Sequence, residues 1–128
     1  MPDLSGQWNG TFTYPANIGP ATPFLLDMRD LNGALSGQII EPEQFYGALV
    51  TLNAVLFGVR SGRTVDFTKK YIDPPDGYEY PVDYVGQLSA DGLIVSGLWS
   101  LPGADGSFEM HRDLAAPQSA VEREAVVD

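Results

Sequence analysis

Polar and apolar residues alternate along most of this chain with a period of two. The stretch "WNGTFTY" sets Trp8, Gly10, Phe12 and Tyr14 on one face, and Asn9, Thr11 and Thr13 on the other. Successive side chains of a strand point to opposite faces, so such runs predict half-buried strands. Eight runs read this way: Gln7–Tyr14, Pro23–Leu31, Leu35–Glu41, Val50–Arg60, Thr64–Tyr71, Val82–Leu88, Leu93–Leu101 and Ser107–Arg112. Helical periodicity is nearly absent. The fourth run is apolar on both faces, with Leu52, Ala54 and Leu56 on one and Val55, Phe57 and Val59 on the other.

The connections sort by parity. After the second, fourth and sixth runs come Asn32-Gly33, Ser61-Gly62 and Asp91-Gly92, dipeptides that supply the positive φ of short hairpins. After the first, third and fifth come the longer links Pro15–Ala21, Pro42–Leu49 and Ile72–Pro81; Pro102–Gly106, after the seventh, is intermediate. In a meander, alternate links lie at one end. One end is therefore stitched tightly, and the other carries the long loops. The fold class expected is all-β: an eight-stranded antiparallel up-and-down barrel, whose closure removes exposed strand edges. The barrel domain spans residues 1–113. Residues 114–128 form a tail, where Ser119 and Glu122 have the spacing of a capping box for a short helix.

An apolar–Ser–Gly–x–bulky pattern occurs three times, as "LSGQW" at Leu4–Trp8, "LSGQI" at Leu35–Ile39 and "VSGLW" at Val95–Trp99. In each copy the Gly shares the inward face with the bulky residue. A strand can bend there, or a neighbouring group can lie over the bare backbone. The copies keep no fixed period, so they read as a shared bending device rather than a repeat.

Trp8 starts the first strand and Arg112 ends the last. In a closed meander these ends meet, and both side chains point inward. The guanidinium then either stacks on the indole and seals that end or extends into solvent. Gly6-x-Trp8 with a basic residue at Arg112 resembles the calycin superfamily of lipocalins, fatty-acid-binding proteins and avidins. That resemblance implies a barrel closed at one end by Gly6, Trp8 and Arg112, with a ligand inside. It covers roughly residues 4–113. The polar positions that hold biotin in avidins have no match on the first strand. The helical lid of the fatty-acid-binding proteins and the second lipocalin motif are also missing.

Composition narrows the function. The 128 residues carry a formal charge of −10 and only seven Lys plus Arg, which disfavours nucleic acid and anionic membrane surfaces. No run is long and apolar enough for a membrane span, no secretory signal is visible, and a cytoplasmic location is expected. Without Cys, and with His111 alone and outward by parity, neither a metal site nor a Ser–His–Asp triad is expected. No cofactor is expected.

The loop end collects Glu41, Glu43, Asp73, Asp76, Glu79 and Asp105 and no Lys or Arg. These acids either bias the mouth toward neutral or cationic ligands or only keep the loops soluble. Candidate ligand-binding residues are Phe12, Tyr14, Phe24, Lys69, Tyr71, Tyr84 and Trp99. Lys69 shares the inward parity of Val65, Phe67 and Tyr71, unless a bulge turns it out beside Lys70. The loop "YIDPPDGYEYP" at Tyr71–Pro81 is either a lid on the mouth or a hairpin packed outside. Three functions remain open: a binder of a small, mostly apolar or amphipathic molecule; an isomerase or cyclase with Lys69 and Tyr84 as acid–base groups; and a barrel plugged by its own side chains that serves as an interaction module. The two-faced fourth strand predicts a homodimer or higher oligomer covering the wall.

Overall fold

The computed structural model describes residues 3–14, 21–43 and 50–114. The possible helix at Ser119–Glu122 and most of the first two long links lie outside them. The strands are β1 (Gly6–Thr13), β2 (Thr22–Leu31), β3 (Ala34–Pro42), β4 (Thr51–Ser61), β5 (Thr64–Tyr71), β6 (Val82–Leu88), β7 (Ile94–Leu101) and β8 (Ala104–Arg112). Each pairs antiparallel with its sequence neighbours, and β1 pairs with β8, closing an eight-stranded barrel. No described helix is long and apolar enough to cross a membrane.

Alternation follows the expected parity. Leu26, Met28, Leu35, Ile39, Leu56, Val65, Phe67, Val95, Phe108 and Met110 fill one continuous core. Asn32 and Gly33, at φ 55° and 95°, make the tight turn from β2 to β3. The link after β7 departs from expectation. Leu101 pairs with Ala104, so Pro102-Gly103 alone makes the turn and β8 begins at Ala104 rather than Ser107. Proline presets the first corner and Gly103, at φ 87°, takes the second, as a type II turn requires. The loop end therefore carries three long links and one tight hairpin.

The repeated glycines answer to crowding. A Cβ on Gly37 would stand 2.5 Å from the Asp27 carbonyl oxygen, and one on Gly97 would stand 2.0 Å from that of Val85. Neighbouring strands approach too closely there for any side chain. In the first copy Gly6 instead has φ 126°.

The tight-turn end is sealed from two sides. Trp8 pairs with Arg112, whose guanidinium carbon lies 4.6 Å from the Trp8 ring centre. Arg112 donates to the carbonyls of Ser5 at 2.9 Å and Asp3 at 2.7 Å, and the Trp8 indole N–H donates to Leu4 at 2.9 Å. The second seal is a buried ion pair. Arg60 Nε donates to Asp30 Oδ2 at 2.6 Å; the Leu4 and Gly33 amides donate to the same carboxylate at 3.0 and 2.8 Å. Asp30 thereby ties the N-terminal segment to two hairpins. Burial opposes its ionisation, but Arg60 and the two amides outweigh that and hold its pKa below the usual carboxylate range.

Replacing Asp30 with Asn leaves Arg60 buried without a counter-charge. The expected cost is about 3–5 kcal/mol, read by urea unfolding at neutral pH. Because the folded pKa is depressed, the carboxylate contributes fully above the unfolded value of about 4 and loses that contribution as pH falls through the folded value. The stability gap between wild type and Asp30→Asn should therefore stay constant above about pH 5 and shrink below about pH 4.

Candidate functional site

At the loop end the core gives way to a cavity of about 350 Å³. Phe12, Tyr14, Lys69, Tyr71, Tyr84 and Trp99 all line it, together with Thr22, Glu41, Val82 and Leu101. Tyr14 directly follows β1, and each of the others lies on the inward face of its strand near the loop end. Phe24 lies apart from this group. Its ring centre is 6.1 Å from that of Phe12, and the ring covers Gly10, so Phe24 packs beside Phe12 in the core and does not line the cavity. The walls are mutually braced rings. Phe67 and Tyr84, cross-strand partners, stack at 4.8 Å with an 11° tilt, and Trp99 meets Phe12 and Tyr14 edge to face at 6.1 and 5.7 Å.

Lys69 points inward and is 1% exposed. No bulge interrupts the β4–β5 ladder at this level, where Lys69 pairs with Leu56 and Lys70 with Val55. Lys69 Nζ donates to Glu41 Oε1 at 2.9 Å, and the Tyr71 hydroxyl donates to Glu41 Oε2 at 2.6 Å. The same Nζ lies over three rings, 4.4 Å from the centre of Phe12, 4.7 Å from Tyr71 and 5.4 Å from Tyr84. Tyr84 therefore meets the ammonium with its face. The acid paired with Lys69 is Glu41.

This corrects the picture of a rim of six acids. Glu41 is 4% exposed and Glu43 is also buried, while Asp73, Asp76, Glu79 and Asp105 stay exposed. The signal for Glu41 is the alternation itself: Leu35, Gly37 and Ile39 face inward, and Glu41 continues their row. Thr22 was legible in the same way, two residues before Phe24. The Tyr71–Pro81 loop folds over the mouth. Gly77, Tyr78 and Tyr80 line the cavity; the Tyr78 ring packs edge-on to Tyr71 at 5.3 Å, and its hydroxyl donates to Glu43 at 2.8 Å.

Burial sets the protonation states. It pushes Tyr14 up to about 12 and raises Tyr71 and Tyr84 well above the ordinary phenol value, with Glu41 adding to the rise in both. All three are neutral phenols near pH 7. Burial lowers the Lys69 pKa, and Glu41 opposes that shift. His111 lies on the outer wall, with its imidazole 3.4 Å from Glu109. Among the described residues no cluster of His, Cys, Asp and Glu has the makings of a metal site.

Compared with protein-family models and with curated proteins, the chain matches none. The chemistry therefore rests on the cavity. It offers an aromatic, amphipathic enclosure with one internally neutralised ion pair.

Glu41→Gln should destabilise the fold by about 3–5 kcal/mol near pH 7, because a buried ammonium is left unpaired. Lys69 then falls further below its ordinary value, while the unfolded chain still holds that proton up to about pH 10. The unfolded state binds more protons, so the variant's stability should rise between pH 7 and 10, as followed by thermal unfolding. The double variant Glu41→Leu/Lys69→Met should regain most of the loss, since apolar groups of similar volume need no desolvation of charge.

Proposed function

We propose that this protein is a calycin-like binder that holds a small, mostly apolar molecule, neutral or cationic, inside its barrel. The observation that carries the reading is the contrast between the two halves of the interior. The tight-turn half is filled by Trp8, Leu35, Val65, Val95 and Met110, whereas the loop half keeps a ring-lined cavity of about 350 Å³. That volume lies at the lower end of the range used for small-molecule ligands. The combination of Gly6, Trp8 and Arg112 at the opposite end supports the calycin likeness. The same cavity would serve a cofactor-free isomerase or cyclase; the observation favouring that reading is that an ammonium, Lys69, and a carboxylate, Glu41, both line it. Turnover of a bound ligand separates the two.

The neutral dye N-phenyl-1-naphthylamine tests the cavity. A saturable, one-to-one fluorescence increase is expected. Val82→Phe, which puts a ring into the cavity, should weaken binding about tenfold with thermal stability retained; unchanged dye affinity would place the dye elsewhere.

We also propose that a second copy of the chain covers the outer face of β4. Phe57 and Val59 are 53% and 57% exposed there. A closed barrel has no free edge, so association must use such a face. Light scattering after size exclusion should give a dimer or larger species, reduced to monomer by Phe57→Lys.

A further inference from the structure

We infer that the cavity selects neutral molecules through a hydrogen-bond acceptor, a carbonyl oxygen that meets the Tyr84 hydroxyl and the Lys69 ammonium, and that it rejects organic cations. The inference rests on the binding function proposed above and narrows its ligand class.

The first ground is that the cation site is already filled. A ring cluster such as Phe12, Tyr71 and Tyr84 is what proteins use to hold an organic ammonium group. Here Lys69 Nζ occupies it, 4.4–5.4 Å from the three ring centres. A ligand cation would meet a like charge in a space of low dielectric. Glu41 offers it no free countercharge, because Lys69 takes one oxygen and the Tyr71 hydroxyl the other.

The second ground excludes anions. Among the described residues lining the cavity, Glu41 and Lys69 are the only charged ones, and they neutralise each other. A ligand carboxylate would add an unbalanced negative charge beside Glu41. It would also pass the exposed Asp73, Asp76, Glu79 and Asp105 on its way in.

The third ground is which polar groups are still unused. The Tyr14 hydroxyl bonds to Thr22 at 2.6 Å, Tyr71 donates to Glu41, Tyr78 donates to Glu43, and the Trp99 indole donates to the Thr13 carbonyl at 2.8 Å. Tyr84 differs. It lines the cavity and is 2% exposed, yet its hydroxyl makes no hydrogen bond among the described residues. Among the described residues no enclosed side-chain nitrogen or oxygen lacks a partner, so that hydroxyl opens onto the cavity. Lys69 makes one hydrogen bond, to Glu41, although an ammonium has three N–H donors. The spare capacity is thus donor capacity on uncharged or already balanced groups. A carbonyl oxygen accepts two hydrogen bonds and brings no charge. The ring walls fit an aromatic or conjugated frame behind it.

Four ligands on one naphthalene frame test this by displacement of N-phenyl-1-naphthylamine at pH 7. They are 2-acetylnaphthalene, 2-ethylnaphthalene, 2-naphthoate and 2-naphthylmethylammonium. The ketone should bind about tenfold tighter than the hydrocarbon, and both ions at least about tenfold weaker than the ketone. Tyr84→Phe should collapse the ketone-to-hydrocarbon ratio toward one. Lys69→Met empties the ring cluster and bares Glu41, so it should bind the ammonium compound at least about tenfold tighter than wild type does. Should Lys69→Met fail to fold, the Tyr84→Phe ratio decides. Wild-type binding of either ion as tight as that of the ketone overturns the inference, as does a ketone preference that survives Tyr84→Phe. A hydrocarbon that binds as well as the ketone overturns the selection but leaves the binding function standing. If no compound displaces the dye, and the dye itself does not bind, both fall.

Discussion

The pairing of β1 with β8 turns a meander into a cylinder, and the other features follow from it. The two strands come from opposite ends of the described barrel, and their ladder runs from Trp8–Arg112 to Thr13–Ser107. Joining them costs loop-closure entropy, which grows only slowly with chain length. It satisfies two open rows of backbone donors and acceptors and removes the only edges that the sheet would have. It also assigns the two ends. Once Arg112 lies over Trp8, the tight turns become a floor, the long links surround a mouth, and every inward residue acquires a definite depth.

Charge is distributed by depth. At the floor, Asp30 and Arg60 pair where the Leu4 and Gly33 amides and the Gly62 carbonyl add to their hydrogen bonding. The middle of the barrel is hydrocarbon and aromatic. Near the mouth a second pair, Lys69 and Glu41, is buried among rings. A buried pair is a poor source of stability, because desolvating two ions can offset their attraction. Its presence in the open half, beside raised phenols and an unengaged hydroxyl, makes chemical sense as a way of giving an apolar cavity polarity without net charge. The pair also holds Tyr71 and Lys69 in fixed positions, so donors that face the cavity are preorganised.

Much of this was legible in the chain, because period-two alternation is a strict rule for strands whose two faces meet different solvents. It placed the strands within a few residues, turned Lys69 inward and His111 outward, and brought Trp8 to Arg112. The same rule, carried one step further, reaches Glu41 after Ile39, Asp30 after Met28 and Arg60 after Gly58. A charged residue at a strand end reads naturally as a rim residue, since burying it alone would be costly. Nothing in one strand's pattern reveals the partner that makes burial tolerable. Pro102-Gly103 was obscured for a local reason. Gly106 resembles a second turn residue, yet it lies inside β8 opposite Trp99.

The sequence by itself determined the strands, their inward faces, three of the four tight turns and the residues that close the floor, since all of these depend on alternation and on local backbone preference. Only the tertiary structure decided that Lys69 meets Glu41. The two sit on β5 and β3, with β4 between them, and their contact depends on how the barrel curves around Ala54 and Leu56. It also decided that the loop half stays open while the floor half is filled. An unfilled volume is a property of how many side chains sum in three dimensions, which no single run of residues records.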